Sequence, residues 1–191
     1  MLIHITRQEF GVDIDLIYAT AKNVTGKVIY QNADCYLLEC AAQHLRHAVD
    51  LARPHGLTFK IFDAYRPSEG QWALWNHSPD PNFVADPRRG SPHTRGVAID
   101  LTLVDERTGQ ELDMGTPFDD FTPRSFHGDK EVSLEAQRNR FLLLGIMSAA
   151  GWDFYKNEWW HYQLFQSRDY PLIEQSVLPR PMVFISKPQP A

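Results

Sequence analysis

The chain has 191 residues, enough for one domain with a buried core but too few for two typical domains. Hydrophobic residues make up 43% and charged residues 23%, a balance that excludes wholesale disorder. Acidic residues outnumber basic ones 24 to 19, and the net charge of −5 argues against a nucleic-acid partner, which requires a basic face. No apolar run approaches the roughly 20 residues of a membrane-spanning helix.

The first residues and the two cysteines indicate a cytoplasmic protein. The N-terminal sequence lacks a basic region followed by an apolar stretch, so no signal peptide is predicted. Cys35 and Cys40 lie five positions apart at the entry to a predicted helix, a poor spacing for a disulfide. We therefore expect reduced, packed thiols.

Apolar periodicity predicts an alternation of strands and helices along the chain. Strands are predicted at 12–19, 57–65 and 96–103, and a hairpin or bend joins two aromatic-rich runs at 152–155 and 159–165. Helices are predicted at 38–53, at 68–76 after a capping-box pattern, and at 133–151 with Gly151 as the C-terminal cap. This order indicates an α+β domain at 1–175, followed by a proline-rich tail at 176–191 that either wraps the surface or is loose.

Several common sites are absent or weakly supported. No glycine-rich nucleotide loop, nucleophile elbow or cysteine-nucleophile signature occurs. His44 and His47 lie three positions apart on a predicted helix and could in principle share a metal, but a polar helix face is the favoured interpretation.

Two short segments are rich in metal-ligand residue types. In Ser91–Asp100, Asp100 interrupts an apolar strand, and burying a carboxylate costs several kcal/mol unless a cation compensates it. The alternative is a strand-end aspartate that pairs with an arginine or caps a turn. In Glu158–His161, the alternative is an aromatic strand with exposed polar residues. Glu158 and His161 can serve one site only if the chain bends, and Asn157 is a turn signal.

Together the two segments supply His93, Asp100 and His161. Two imidazoles and one carboxylate, with a fourth position open, are the ligands of a catalytic zinc site, whereas a structural site is closed by a fourth ligand. Neither cysteine lies near these motifs. Glu158 is then a spare carboxylate that can take a proton from water and return it to a leaving amine.

The pattern S-x-H-x-x-G-x-A-x-D followed by E-x-W-H resembles the signature of the lysostaphin-like, D-alanyl-D-alanine carboxypeptidase-like and hedgehog-like zinc peptidases. Within that group the chain resembles the D-alanyl-D-alanine dipeptidases. The matching stretches lie between residues 18 and 162, namely 18–20, 23–26, 63–67, 91–103, 114–115, 118–119, 124–125 and 158–162. Pro92 and Phe126 depart from the pattern outside the zinc ligands.

The resemblance implies a single-domain α+β fold with a central, mostly antiparallel sheet flanked by helices and the zinc site at the sheet. It implies one zinc per chain, with His93, Asp100 and His161 as ligands. The other implied roles are Glu158 as catalytic base and acid, Arg66 as the cation that stabilises the tetrahedral intermediate, Asp119 for the substrate ammonium, Ser91 for its carboxylate, Tyr18 as a helper and Tyr30 in the pocket lining.

The expected function is a cytoplasmic zinc dipeptidase that hydrolyses D-alanyl-D-alanine to two D-alanines. Such an enzyme removes the dipeptide from the supply of cell-wall precursors or recycles it. Its partner is a small zwitterionic dipeptide, with neither nucleic acid nor membrane involved. One alternative is a carboxypeptidase that trims peptidoglycan stem peptides, which needs an export signal. Another is a zinc module without catalysis, against which Glu158 and Arg66 both argue.

Overall fold

The computed structural model describes residues 1–184. Its strands are β1 (Leu2–Ile5), β2 (Asp13–Ile14), β3 (Cys35–Leu38), β4 (Leu57–Asp63), β5 (Ala98–Asp105), β6 (Asp153–Phe154) and β7 (His161–Gln163). Its α-helices are α1 (Arg7–Phe10), α2 (Glu39–Ala52), α3 (Ser68–His77) and α4 (Leu134–Ala149). Short 3₁₀ turns connect several of them, including Ile17–Ala19, His93–Arg95 and Ser167–Asp169.

A five-stranded sheet in the order β2-β4-β5-β7-β6 forms the centre of the molecule. Only the β2–β4 pair is parallel; the other three pairs are antiparallel. β1 and β3 form a separate antiparallel pair. The predicted α+β class with a mostly antiparallel sheet is confirmed.

The core lies between the sheet and two helices. β4 and β5 carry fully buried apolar side chains such as Phe59 and Leu101, each worth about 1.5–3 kcal/mol of burial free energy. α2 and α4 contact each other, and they pack against β4 and β5 respectively. The buried face of α2 includes Leu45, as the apolar periodicity predicts, and that of α4 includes Leu143.

Two local predictions are wrong. The strand predicted at 12–19 is reduced to Asp13–Ile14, because the chain turns into a 3₁₀ helix that buries Tyr18. The capping box predicted at the start of α3 does not form: Pro67 is the N-cap, with no side-chain cap. Gln71 is engaged elsewhere, since its Oε1 accepts from Arg66 and its Nε2 donates to the carbonyl of Ala85.

Other boundaries are close to those predicted. α4 begins after Ser133, whose hydroxyl accepts from the backbone N–H of Ala136, and Gly151 beyond its end has φ of +92°. β6 and β7 pair as an antiparallel hairpin, shorter than the two predicted aromatic runs. Cys35 and Cys40 are both free, the first buried and the second partly buried.

The C-terminal segment folds back on the loop after Tyr30. The side-chain amide of Gln175 bonds the backbone of Met182 and Val183, both buried. The carbonyl of Met182 accepts from the backbone N–H of Gln31, whose Oε1 accepts in turn from the N–H of Phe184. Residues 176–184 of the predicted tail therefore wrap the surface, and 185–191 lie outside the described residues. Within 1–184, no helix combines the length and apolarity needed to cross a bilayer.

Candidate active site

Three metal-ligand side chains converge at the middle of the sheet. His93 lies on the 3₁₀ turn before β5, Asp100 lies in β5, and His161 begins β7. Asp100 is paired in register with His161 on one side and with Asp63 of β4 on the other. Backbone pairing of adjacent strands therefore brings together residues that are 61 positions apart in the sequence.

The donor atoms of the three side chains all lie within 4.8 Å of one another. The Nδ1 atom of His161 is 3.0 Å from Asp100 Oδ1 and 3.2 Å from His93 Nε2, and the latter atom is 3.4 Å from Asp100 Oδ2. Although burial opposes ionisation, the two histidines hold the pKa of Asp100 below its usual range. All three side chains are buried.

In each imidazole, the nitrogen that points away from the trio lies next to an acceptor oxygen and therefore carries the proton. The nitrogen that points toward the trio is left with a free lone pair and can bind a metal. His93 Nδ1 lies 2.7 Å from the carbonyl of Ala64, which can only accept, so this nitrogen carries the proton. His161 Nε2 lies 3.2 Å from Gln163 Oε1, an acceptor in this amide orientation. Two lone pairs and a carboxylate thus face one point. The donor set fits a divalent cation, and N, N and O ligands suit zinc.

The other candidate metal pair does not form. The Nδ1 atom of His44 lies 2.7 Å from the carbonyl of Ala150, and its ring packs edge-on against Trp152. His44 therefore forms a hydrogen bond with the C-cap residue of α4. Among the described residues, the trio at the sheet is the one group of three or more potential metal-binding side chains.

Glu158 lies beside the trio. A turn brings its backbone carbonyl to the N–H of His161, and its Oε2 is 3.9 Å from His161 Nδ1. The chain therefore bends near Glu158, as the turn signal at Asn157 permits. Burial raises the pKa of Glu158 well above its usual range, and the Asp100 and Asp119 carboxylates raise it further. A carboxyl group with a raised pKa next to a metal-type cluster is suited to carry a proton.

Arg66 is fixed by three side chains. Its Nε donates to Asp63 Oδ2 at 2.7 Å, its Nη1 to Gln71 Oε1 at 3.0 Å, and its Nη2 to Asp100 Oδ2 at 3.4 Å. Tyr30 donates to the other oxygen of Asp63 at 2.8 Å, which places Tyr30 behind Arg66 and not in the pocket lining. Asp63 and Gln71 are site residues to which the sequence analysis gave no role. The feature of the sequence that could have identified Asp63 as a partner of Arg66 is its position three residues before it.

Asp119 and Tyr18 form a second arm of the site. The hydroxyl of Tyr18 donates to Asp119 Oδ1 at 3.0 Å, whereas Oδ2 is buried and has no hydrogen-bond partner among the described residues. Burial raises the pKa of Asp119 to about 7. The backbone of Asp119 has φ of +63°, an uncommon conformation for a residue other than glycine.

One cavity of about 450 Å³ joins these groups. Its lining includes the metal-type trio, Glu158, Arg66, Asp119, Tyr18 and Ser91. Ser91 is buried, and its Oγ accepts from the backbone N–H of His93 at 3.2 Å, which leaves the hydroxyl hydrogen free to donate. The structure thus brings to one pocket eight of the nine residues to which the resemblance gave a role, and Tyr30 is the exception. Their roles remain predictions.

Comparison with known proteins identifies the family. The model of the Peptidase_M15 family, described as D-ala-D-ala dipeptidase, matches residues 5–179. The chain belongs to this family. The resemblance inferred from the motifs is therefore confirmed.

Curated relatives agree with the family match. The chain is 47% identical over 162 residues to the D-alanyl-D-alanine dipeptidase of Escherichia coli (strain K12), with 85% of this chain and 83% of the relative covered. It is 36% identical over 184 residues to the enzyme of the same name from Enterococcus faecium, with 84% and 88% covered. A solved structure of VanYB in complex with D-Alanine-D-Alanine is more distant, at 15% identity and a TM-score of 0.45 over 71% of this chain and 75% of that one.

Proposed function

We propose that the chain is a zinc dipeptidase that hydrolyses D-alanyl-D-alanine to two D-alanines. The observation that carries this proposal is the convergence of two lone pairs and a carboxylate beside Glu158 and Arg66, in a member of the D-ala-D-ala dipeptidase family. The curated relatives bear the same activity in their names.

His93, Asp100 and His161 would hold one zinc ion per chain. A zinc ion supplies Lewis acidity toward a peptide carbonyl and toward water. The hydrogen bonds from His93 to Ala64 and from His161 to Gln163 keep the two imidazoles in the ligand orientation.

Asp119 and Ser91 are the proposed contacts for the two ends of the substrate. The unpartnered Oδ2 of Asp119 accepts from the substrate ammonium, while Tyr18 holds the other oxygen in place. Pairing an ammonium with a buried carboxylate is worth more than pairing it on the surface. The hydroxyl of Ser91 donates to the substrate carboxylate.

Arg66 and Glu158 act on the scissile bond. The guanidinium of Arg66, fixed by Asp63 and Gln71, presents positive charge to the oxygen that becomes anionic in the tetrahedral intermediate. Because that guanidinium is already in place, stabilising the transition state requires no rearrangement. Glu158 takes a proton from the attacking water and delivers it to the leaving amine.

The proposal distinguishes this chain from two alternatives. A carboxypeptidase must admit a blocked amine, whereas Asp119 offers an uncompensated buried acceptor there. A zinc module without catalysis has no use for a fixed arginine and a high-pKa glutamate in one cavity. A cytoplasmic location is also proposed, and the two free cysteines support it.

The decisive experiment measures release of D-alanine from D-alanyl-D-alanine, with L-alanyl-L-alanine and a D-alanine tripeptide as comparison substrates. We expect the enzyme to hydrolyse the D,D-dipeptide and neither comparison substrate. A chelator should abolish this activity. Glu158→Ala should keep about one zinc per chain yet lose on the order of 10²-fold or more in kcat. Glu111→Ala, which removes an exposed carboxylate bound to Lys60, is the matched control. Wild-type turnover in Glu158→Ala would refute the proposed base.

A further inference from the structure

Two arginines on the wall of the active-site cavity have no role in the mechanism above. Arg89 lies in the loop before Ser91, and Arg168 lies on the 3₁₀ turn after β7. Both side chains are exposed, and neither forms an ion pair or a side-chain hydrogen bond within residues 1–184. The third arginine of the lining, Arg66, is by contrast bonded to three side chains.

The acidic group close to Arg89 is already neutralised. The hydrogen bonds from Arg88 are the main cause of the lowered pKa of Asp86, whose carboxylate accepts from both Nε and Nη2 of Arg88 at 2.8 Å each, and the charge of Arg89 adds a smaller effect. Arg89, a residue of the cavity lining, therefore has no ion-pair partner of its own among residues 1–184. An unpaired guanidinium presents a rigid fork of donors that matches the geometry of a carboxylate.

The segments that carry the two arginines are tied together. The guanidinium of Arg95 donates through Nη2 to the carbonyl of Arg89 at 3.3 Å, and through Nη1 to the carbonyl of Tyr170. Between Arg89 and Ser91, Gly90 has φ of +76°, and an added Cβ would lie 2.4 Å from Leu172. The loop before Ser91 is therefore packed tightly against the segment after Arg168.

The cavity also has an acceptor for the other end of a zwitterion. Asp119 lies between β5 and α4, and its Oδ2 has no hydrogen-bond partner among the described residues, whereas Arg89 lies two positions before Ser91. The lining thus combines an unpartnered carboxylate oxygen with two arginines that form no ion pair in the described part of the chain, a combination that suits a zwitterion.

We propose that Arg89 and Arg168 form a carboxylate subsite that binds the C-terminal carboxylate of the dipeptide together with Ser91. This inference rests on the proposed function, since it assigns one end of that substrate. It explains how the pocket selects a free C-terminus: an amide or ester at that end leaves both guanidinium groups without the anion they would bind.

The test measures binding, so it does not depend on turnover. The zinc-loaded Glu158→Gln protein is titrated calorimetrically with D-alanyl-D-alanine and with D-alanyl-D-alanine amide. Arg89→Gln and Arg168→Gln are each expected to weaken binding of the acid by about five- to twentyfold, and the double variant by more, while binding of the amide changes less than twofold. Arg107→Gln, an exposed arginine of the loop after β5, is the control for net charge and should leave both ligands unaffected.

The outcomes separate this inference from the proposed function. Equal losses of affinity for the acid and the amide would show that the arginines support the loop and do not bind the carboxylate. That result would overturn the inference. Unchanged binding of the acid in the double variant would overturn it as well, as would failure of the acid to bind the parent protein. If the wild type fails to hydrolyse the dipeptide while the arginine-dependent difference persists, the proposed function fails and the subsite stands.

Discussion

The metal-type trio and the Asp119–Tyr18 arm lie in one cavity but are held in place by different means. Two members of the trio are positioned by strand pairing, since Asp100 and His161 face each other across β5 and β7, and His93 lies on the turn just before β5. Asp119 lies in a loop with a left-handed backbone, and Tyr18 lies on a 3₁₀ turn 101 residues away, with one hydrogen bond joining the two side chains. The first arrangement follows from the register of the sheet, whereas the second depends on side-chain contacts between loops.

This difference predicts how the two regions respond to substitution. Backbone pairing survives the loss of a side chain. A substitution in the trio should therefore remove the metal and leave the strands of the sheet paired. The Asp119–Tyr18 arm depends on contacts between loops, namely its hydrogen bond and the ring contacts of Tyr18 with Tyr30 and Phe118, so changes in it or in the loop after Tyr30 should alter substrate affinity.

The largest effect is expected for His161→Ala. Removing one of three ligands should reduce zinc to less than about a tenth of the wild-type content and reduce activity to background, because two ligands do not complete a catalytic zinc site. The circular dichroism spectrum should be unchanged, since the pairing of β5 with β7 is made by the backbone. His44→Gln, at a histidine bonded to Ala150, should keep full zinc content. Full zinc content in His161→Ala would contradict the ligand assignment.

Asp119→Asn should lower kcat/KM for D-alanyl-D-alanine by about 10²-fold without loss of zinc, because a neutral amide no longer pairs with the ammonium. The wild type should process the N-acetylated dipeptide at least about 10²-fold less efficiently than the free one, and the variant should narrow that gap. Asp120→Asn, one position along the same loop, is the control. Equal kcat/KM for both substrates in the wild type would favour the carboxypeptidase alternative.

The pH dependence of kcat/KM should report the same carboxyl group. Because burial raises the pKa of Asp119 to about 7, the group is protonated below that pH and loses its charge interaction with the ammonium. We expect kcat/KM to fall by up to about tenfold per pH unit below pH 7, and this slope to be reduced in Asp119→Asn. Zinc content is measured at each pH. An identical acid limb in the variant, at full zinc content, would assign the titration to another group.

The smallest effect is expected at the support farthest from the chemistry. Gln175→Ala removes three hydrogen bonds to Met182 and Val183, each worth about 0.5–1.5 kcal/mol. We expect a lower melting temperature and a roughly two- to fivefold lower kcat, transmitted through the loop that carries Tyr30, with zinc content unchanged. Gln175→Glu keeps an oxygen at the position of Oε1, which accepts from both N–H groups, and should recover part of the loss. Reduced zinc content in Gln175→Ala would contradict the separation of the two regions.

The same contrast explains what the sequence could and could not predict. The trio and Glu158 are readable because each lies in a short motif, and a buried aspartate in an apolar strand is conspicuous on its own. The partners of Arg66 are harder to find: Gln71 matched a capping pattern, and only the folded chain shows that its amide binds Arg66 and Ala85. The strand predicted at 12–19 failed for a related reason, because burial of Tyr18 in the site overrides the local alternation of the sequence.

The fold-back of the C-terminal segment also sets an order in time during synthesis. Phe184 bonds to Gln31, a residue made 153 positions earlier. At a typical rate of about 5–20 residues per second, the loop after Tyr30 waits roughly 8–30 s for its final contact. All strands of the sheet and all three residues of the metal-type trio lie at or before Gln163. In a nascent chain, the metal-binding residues can therefore come together before the contacts that stabilise the loop after Tyr30 can form.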